Sequence, residues 1–406
     1  MKTTMVIPSY WGREQASGSR ETDAIYDHPT PLDTEGTLQR ALESLSILEN
    51  KDFNLVVIAV ATAEDIAQKV EEKVSRIISS VSVGVPTYLF SHSHLRHVHE
   101  VLKQGGGERF CELLSLRGYS NIRNLCLFLP YVLDSDIVLL IDDDEIFEDP
   151  LFLSRAREFI GQRIDDQFIG GVAGYYLQPD GDWLLKREKS DWMKHWDKLD
   201  RMNEAFEQII GSGPRLKETP FVFGGNMIIH REIFTRIPFD PKVTRGEDID
   251  FLINMRMFGY KFFLDNTLAI KHLPPPHFHP TWKQLREDIY RFVFERSKLR
   301  DQDMTAKNMV SVSAEELCPY PGAFLKDDLE DKIAGACEVL ADEYRAQGKH
   351  ADRAEALKNI DIATGKAAPA DNAFQQLLTI QKQWEQLMVF CSQAAIKGLL
   401  TQRWKK

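Results

Sequence analysis

Three consecutive carboxylates, Asp142-Asp143-Asp144, stand at the end of the apolar run Ile137-Val-Leu-Leu-Ile141. The run is short, branched and without helical period, so it predicts a fully buried strand. Acids crowded at the tip of such a strand repel one another and lose hydration. A divalent cation resolves that conflict, because hard cations take oxygen ligands. The carboxyl ends of strands in open α/β sheets are also where ligands bind. Glu145 and Glu148 add negative charge, and Asp149-Pro150 closes the segment as a turn. The competing reading is a solvated acidic turn after a strand.

The flanking sequence fits a parallel sheet. Strands are expected at Thr4–Ile7, Phe53–Val60 and Thr87–Phe90. Helical spacing marks Thr34–Leu48, Glu64–Ser79 and Asn121–Val132, the last leading into the acidic strand. Strand-helix alternation of this kind predicts an α/β fold with right-handed crossovers. Residues 12–31 read as a long polar loop. In the second half, Phe168–Leu177, Phe221–Ile229 and Tyr260–Lys271 are strand-like, and Arg245–Phe258 is an amphipathic helix with acids in its first turn. From about Pro280 the pattern turns helical, and a last helix is expected over Asn372–Trp404. The expected organisation is 1–280 as one domain, with halves 1–145 and 146–280, followed by a helical region over 281–406. The C-terminal helices are a candidate contact for a homo-oligomer.

With 406 residues the chain is long enough for a large core, and its 43% apolar content is ordinary for a globular protein. A net charge of -11 gives no electrostatic support for nucleic-acid binding. It leaves room for a phosphorylated substrate held in a local basic pocket. The five cysteines have no CxxC spacing and read as reduced thiols. No segment has the apolar length of a membrane span and no signal peptide is evident, so a cytoplasmic soluble protein is expected.

Several polar groups fall where consecutive strands of such a sheet should end. These are IPSYWGR at 7–13, IRN at 122–124 before LLIDDDE, FGGNMIIHREIF at 223–234 and RGEDIDFLINMRMFGYKF at 245–262. In their order these pieces resemble glycosyltransferases of the GT-A fold, over about residues 3–275. The pattern is nearest the inverting, family-two-like group. The FGG and GED pieces also resemble β-1,4-galactosyltransferases. The resemblance implies a Rossmann-like, mixed but mainly parallel sheet, a nucleotide-diphosphate sugar as donor, and a Mn or Mg ion.

It also implies roles. Asp144 would be the direct metal ligand and Asp142 would face the ribose or reach the metal through water, with Asp143 helping on either. His272 matches the family's late metal-binding histidine, and imidazole suits Mn better than Mg. His277 and His279 compete for that role, or form a solvated loop. Asp248 matches the family's general base, with Glu247 holding sugar hydroxyls. The alternative for this pair is favourable charge at a helix N-terminus. Arg123 matches the arginine that reaches nucleotide or diphosphate, where a guanidinium fork suits phosphate oxygens. Arg13 and Arg245 are further phosphate candidates. Pro8, Ser9 and Tyr10 would cradle the base. Gly224 and Gly225 would let backbone approach a sugar, or form a plain β-bulge. Asp250 reads as structural.

The chain departs from the family in one place. An acid commonly ends the second strand and binds the nucleobase. Here the segment is Val57-Ile-Ala-Val-Ala-Thr62, with no acid until Glu64-Asp65, so UDP and GDP stay open. Residues 182–215 carry Trp183, Trp192 and Trp196, which suit either stacking on a glycan or glycoside acceptor or a helix core. The rival activities are retaining transfer on the same fold, nucleotidyl transfer to a sugar phosphate, and nucleotide or glycan binding without catalysis. Nucleotidyl transfer would need a glycine-rich basic loop after the first strand, and residues 9–19 hold only Gly12, Gly18 and Arg13.

Overall fold

Alternating side chains on the central strands build two apolar layers, one on each face of a sheet. The computed structural model describes residues 1–275, 279–303 and 309–402. On β1 (Thr3–Gly12), Met5 and Ile7 enter one layer and Val6 the other. On β2 (Asn54–Ala61), Leu55, Val57 and Ala59 oppose Val56, Ile58 and Val60 in the same way. After β3 (Thr87–Phe90), β4 (Ile137–Leu140) repeats the alternation. Burial on both faces explains why these strands read as continuous apolar runs.

Four more strands complete the path: β5 (Gly171–Leu177), β6 (Leu216–Glu218), β7 (Met227–His230) and β8 (Phe262–His272). The order across the sheet is β6-β8-β5-β7-β4-β1-β2-β3. Neighbours β4, β1, β2 and β3 are parallel, as are β5 and β8. β7 runs antiparallel to both β4 and β5. The carboxyl ends of β1, β4, β5 and β8 therefore share one edge with the amino end of β7. A short strand, Glu145–Ile146, pairs with the tip of β8, setting Glu145 opposite His272.

Helices α1 (Leu38–Ser44) and α2 (Ala67–Ser80) cover one face. The other face carries α3 (His92–Gln104), α4 (Tyr119–Val132), α5 (Lys198–Ile209), α6 (Glu247–Met257) and α7 (Thr281–Arg300). Helices α8 (Leu329–Ala346), α9 (His350–Asp361), α10 (Ala373–Cys391) and α11 (Ala394–Leu400) join that same layer. Trp384 on α10 is fully buried and donates its indole N–H to the Phe234 carbonyl at 2.9 Å. No described helix is long and apolar enough to cross a membrane.

Several boundaries differ from expectation. β1 does not stop at Ile7 but continues to Gly12, with Pro8 opposite Ile58. Its pairing with β4 has ended by then, at Val6, where a missing N–H is tolerated. The strand expected from Phe221 begins only at Met227. The amides of Gly224 and Gly225 are used by side chains instead of a ladder, namely the Asp248 carboxylate at 3.1 Å and the Tyr176 hydroxyl at 2.8 Å. The last helix breaks after Cys391, where Gln393 is extended, and Trp404 lies outside the described residues.

One buried ion cluster fixes α7 to α6. Lys298, with no exposure, lies 2.6 Å from Asp250 and 3.1 Å from Asp240, both also buried. Asn254 accepts a further hydrogen bond from it at 3.1 Å. Removing the cation strands two acids in the core. We expect Lys298→Met to cost about 3–5 kcal/mol in chemical denaturation. A loss below about 1 kcal/mol would mean that the cluster relaxes or takes up a proton at little expense.

Candidate active site

The shared edge holds a cleft of about 380 Å³. The acids that follow β4 fan out along it in three directions. Asp142 meets Arg123 of α4, whose Nη2 lies 2.9 Å from its carboxylate. Asp143 turns back to β1 and accepts a hydrogen bond from the Ser9 hydroxyl at 2.5 Å. Asp144 faces the end of β8, 3.4 Å from His272 Nε2. Behind them Glu145 is fully buried and accepts the Asp142 amide at 3.0 Å.

These environments divide the acids electrostatically. Burial pushes Asp143 up to about 8, with the charge of Asp144 adding to it. Burial raises Glu145 well above the carboxylate range, and Asp142 and Asp144 reinforce that. Asp142 is raised by burial against the opposing pull of Arg123. For Asp144 burial works against the charge, but His272 outweighs it and holds the carboxyl below its usual value. Asp144 is therefore the acid of this run best kept ionised without help.

Arg123 is 4% exposed and bridges the two walls. It reaches Asp142 on one side and Glu247 on the other, with Nε 3.2 Å from Glu247. Its Nη1 has no hydrogen-bond partner among the described residues. Gly224 makes room for it, since a Cβ there would lie 2.8 Å from Arg123 Nη2. A Cβ on Gly225 would lie 2.0 Å from Glu145 Oε1 and 2.8 Å from Asp142 Cγ. The glycine pair thus lets the buried charges pack against a backbone that bends toward the cleft.

On the facing wall, Gly246 caps the start of α6 in the left-handed region at φ 73°. Glu247 is buried and raised to about 6, first by burial, with Arg123 opposing and Asp248 adding. Asp248 is partly exposed to the cleft. Its carboxylate accepts the Gly224 amide at 3.1 Å and the Ile249 amide at 2.8 Å. Tyr10 lines the end of the cleft, packed on Tyr26 and Tyr119 with ring centroids at 4.6 and 5.3 Å.

Not every residue singled out in the sequence reaches this cleft. Arg13 is pinned by Asp23 at 2.9 Å and Asp65 at 2.7 Å, and is not among the lining residues. The same pairing occupies Asp65, the acid considered for the nucleobase. Pro8 lies inside β1, away from the cleft. Arg245 does line it, between Asp27 and Glu287. Trp192 and Trp196 are buried, Trp196 against Phe324 and Phe292, so they belong to the core and the apolar wall is instead made by Met202, Phe206, Phe221 and Phe223. His279 lies beside Lys283, and His277 falls outside the described residues. Asp250 sits in the Lys298 cluster.

Asp142, Asp144 and His272 do not surround one point. Among the described residues no group of three or more His, Cys, Asp or Glu side chains is set to hold an ion. The reason is local: Arg123 takes Asp142. The Asp144–His272 pair remains, a carboxylate and an imidazole side by side. Two protein ligands suit a cation that takes its other positions from phosphate and water.

Sequence reading passed over Tyr176, Lys198, Arg291 and Tyr320, which all line the cleft. Tyr176 stacks on His272 at 4.7 Å and 28°. Its position at the carboxyl end of a strand was the available signal. Lys198 falls in the 182–215 segment linked to the acceptor, and for Arg291 and Tyr320 distance in sequence from every motif left no signal.

Residues 137–309 match the family model described as glycosyl transferase family group 2. That stretch runs from β4 through the glycine pair, the Glu247-Asp248 helix and His272 to beyond the end of α7. No curated protein sequence matches the chain. Solved structures similar to it include a mannosyltransferase from Pyrobaculum calidifontis in complex with GDP-Man and Mn2+. It is 15% identical, with 99% of this chain and 88% of that chain covered and a TM-score of 0.48. Another is GalNAc-T7 with UDP, GalNAc and Mn2+, 11% identical, with 84% and 58% covered and a TM-score of 0.37.

Proposed function

We propose that the chain, a glycosyltransferase of the GT-A fold, moves a sugar from a nucleotide-diphosphate donor to an acceptor hydroxyl with inversion. The observation that carries this reading is the placement of Asp248. It is a partly exposed carboxylate, held by two backbone hydrogen bonds, that lines the same cleft as Arg123 and the Asp144–His272 pair.

Arg123 would hold the diphosphate through its unpartnered Nη1, and Tyr10 would pack on the nucleoside. Asp144 and His272 would hold a divalent cation, and a histidine ligand favours Mn over Mg. When bound, the cation neutralises charge on the leaving diphosphate. Asp248 would take the proton of the acceptor hydroxyl as that oxygen attacks the anomeric carbon. The bond from that carbon to the diphosphate breaks, and its electron pair leaves with the phosphate. Glu247 would orient a sugar hydroxyl while Arg123 fixes its carboxylate.

A thermal-shift panel of UDP, GDP, CDP and their sugars, with and without Mn, tests the donor half. A Mn-dependent stabilisation by one nucleoside diphosphate is the expected result. Product anomer analysis by NMR then tests inversion. No stabilisation by any of them would remove the donor assignment.

A further inference from the structure

The cleft holds a second guanidinium with a free nitrogen, far in sequence from every motif. Arg291 on α7 is 8% exposed and lines the cleft. Its Nε is 3.1 Å from Glu295, one turn further along the helix. Its Nη2 has no hydrogen-bond partner among the described residues. Arginine is a fork, and burying one prong unsatisfied is costly unless a ligand completes it.

The side chain is also held in place. It packs against Gly246, where an added Cβ would fall 2.4 Å from its Cδ and Nε. The Tyr320 ring, also lining the cleft, is 5.8 Å from its guanidinium carbon. Asp248, two residues after Gly246, is close enough for its charge to act on Arg291. Two more cations line the same end. Lys198 is paired with Asp288, and Arg245 with Asp27 and Glu287. Those cations have their carboxylates. Arg291 is bonded to Glu295 alone, which burial pushes up to about 7, while Asp248 and Asp288 act on it by charge without bonding its free nitrogen.

We propose that Arg291 is a specificity-determining residue for an acceptor that carries an anionic group, a carboxylate or a phosphate, beside the hydroxyl that reacts. The inference rests on the transferase reading above and adds the class of its acceptor. An oxyanion bonded to Nη2 would put the neighbouring hydroxyl within the reach of Asp248. Neutral sugars have no group that satisfies a buried cation as well.

The test uses the full chain with Mn and the nucleoside diphosphate that stabilises it, so that the donor half is already filled. Inorganic phosphate, acetate and, as the neutral control, glycerol are titrated by calorimetry at constant ionic strength. Phosphate or acetate should bind and glycerol should not, and which of the two binds assigns the group. Arg291→Gln should weaken the anion at least ten-fold and leave nucleotide affinity unchanged. Glu295→Gln should tighten it, because it frees the guanidinium. Absence of anion binding by the unaltered protein, or binding that Arg291→Gln leaves intact, overturns the proposal, whether or not the other variant folds. Failure of the nucleotide to bind at all counts against the transferase reading instead.

Discussion

Replacing Asp248 by Asn should cut transfer by at least ~100-fold while nucleotide affinity stays within about two-fold, since a positioned base contributes about 10²–10⁴ in rate. The substitution keeps shape and one acceptor oxygen, so one of the Gly224 and Ile249 amides keeps its bond and the other loses it. What it removes is the site that takes the proton. The two readouts must separate: single-turnover rates with saturating donor fall, and nucleotide titrations do not. Unchanged turnover would discharge Asp248 as base. Loss of both together would make it a structural residue of the glycine-pair turn.

Asp144→Ala should abolish the Mn-dependent part of nucleotide stabilisation. A ligand at a hundred times its Kd adds about 2.7 kcal/mol to stability, ample for a thermal-shift measurement. Asp144 is singled out because its neighbours in the run are committed elsewhere, Asp142 to Arg123 and Asp143 to Ser9. His272→Gln should weaken the same shift and erode the preference for Mn over Mg, as an amide oxygen replaces imidazole. A shift that persists in full in Asp144→Ala would place the cation elsewhere.

Much of this fold was legible because both faces of the central strands are buried. Ile137–Ile141 and Phe53–Val60 read as strands from their short, branched apolar runs, and the acids after Ile141 marked the edge where the cleft lies. Helix α3 went unread between four histidines, although Leu95, Val98 and Leu102 carry the spacing. The segment 221–226 was misread for a physical reason. Its apolar residues and glycines look like a strand, yet its amides bond to Asp248 and Tyr176, which no local pattern reveals. Arg13 follows the first strand in sequence, but Asp23 and Asp65 hold it. Arg291 shows the opposite limit. It sits 43 residues after Asp248 by numbering, and only packing of α7 over Gly246 brings them together.

Helix α7 has two jobs within three turns. Arg291 and Asp288 face the cleft, whereas Lys298, seven residues past Arg291, is the buried counter-ion of α6. A change that tilts or rotates this helix to admit a new acceptor would drag the counter-ion with it. Variation in acceptor preference should therefore accumulate at the exposed ends of neighbouring loops and on α5, around Lys198 and Met202, before it touches α7. A directed-evolution library confined to α7 should yield mostly unfolded chains, whereas one confined to α5 should yield folded ones with altered substrates.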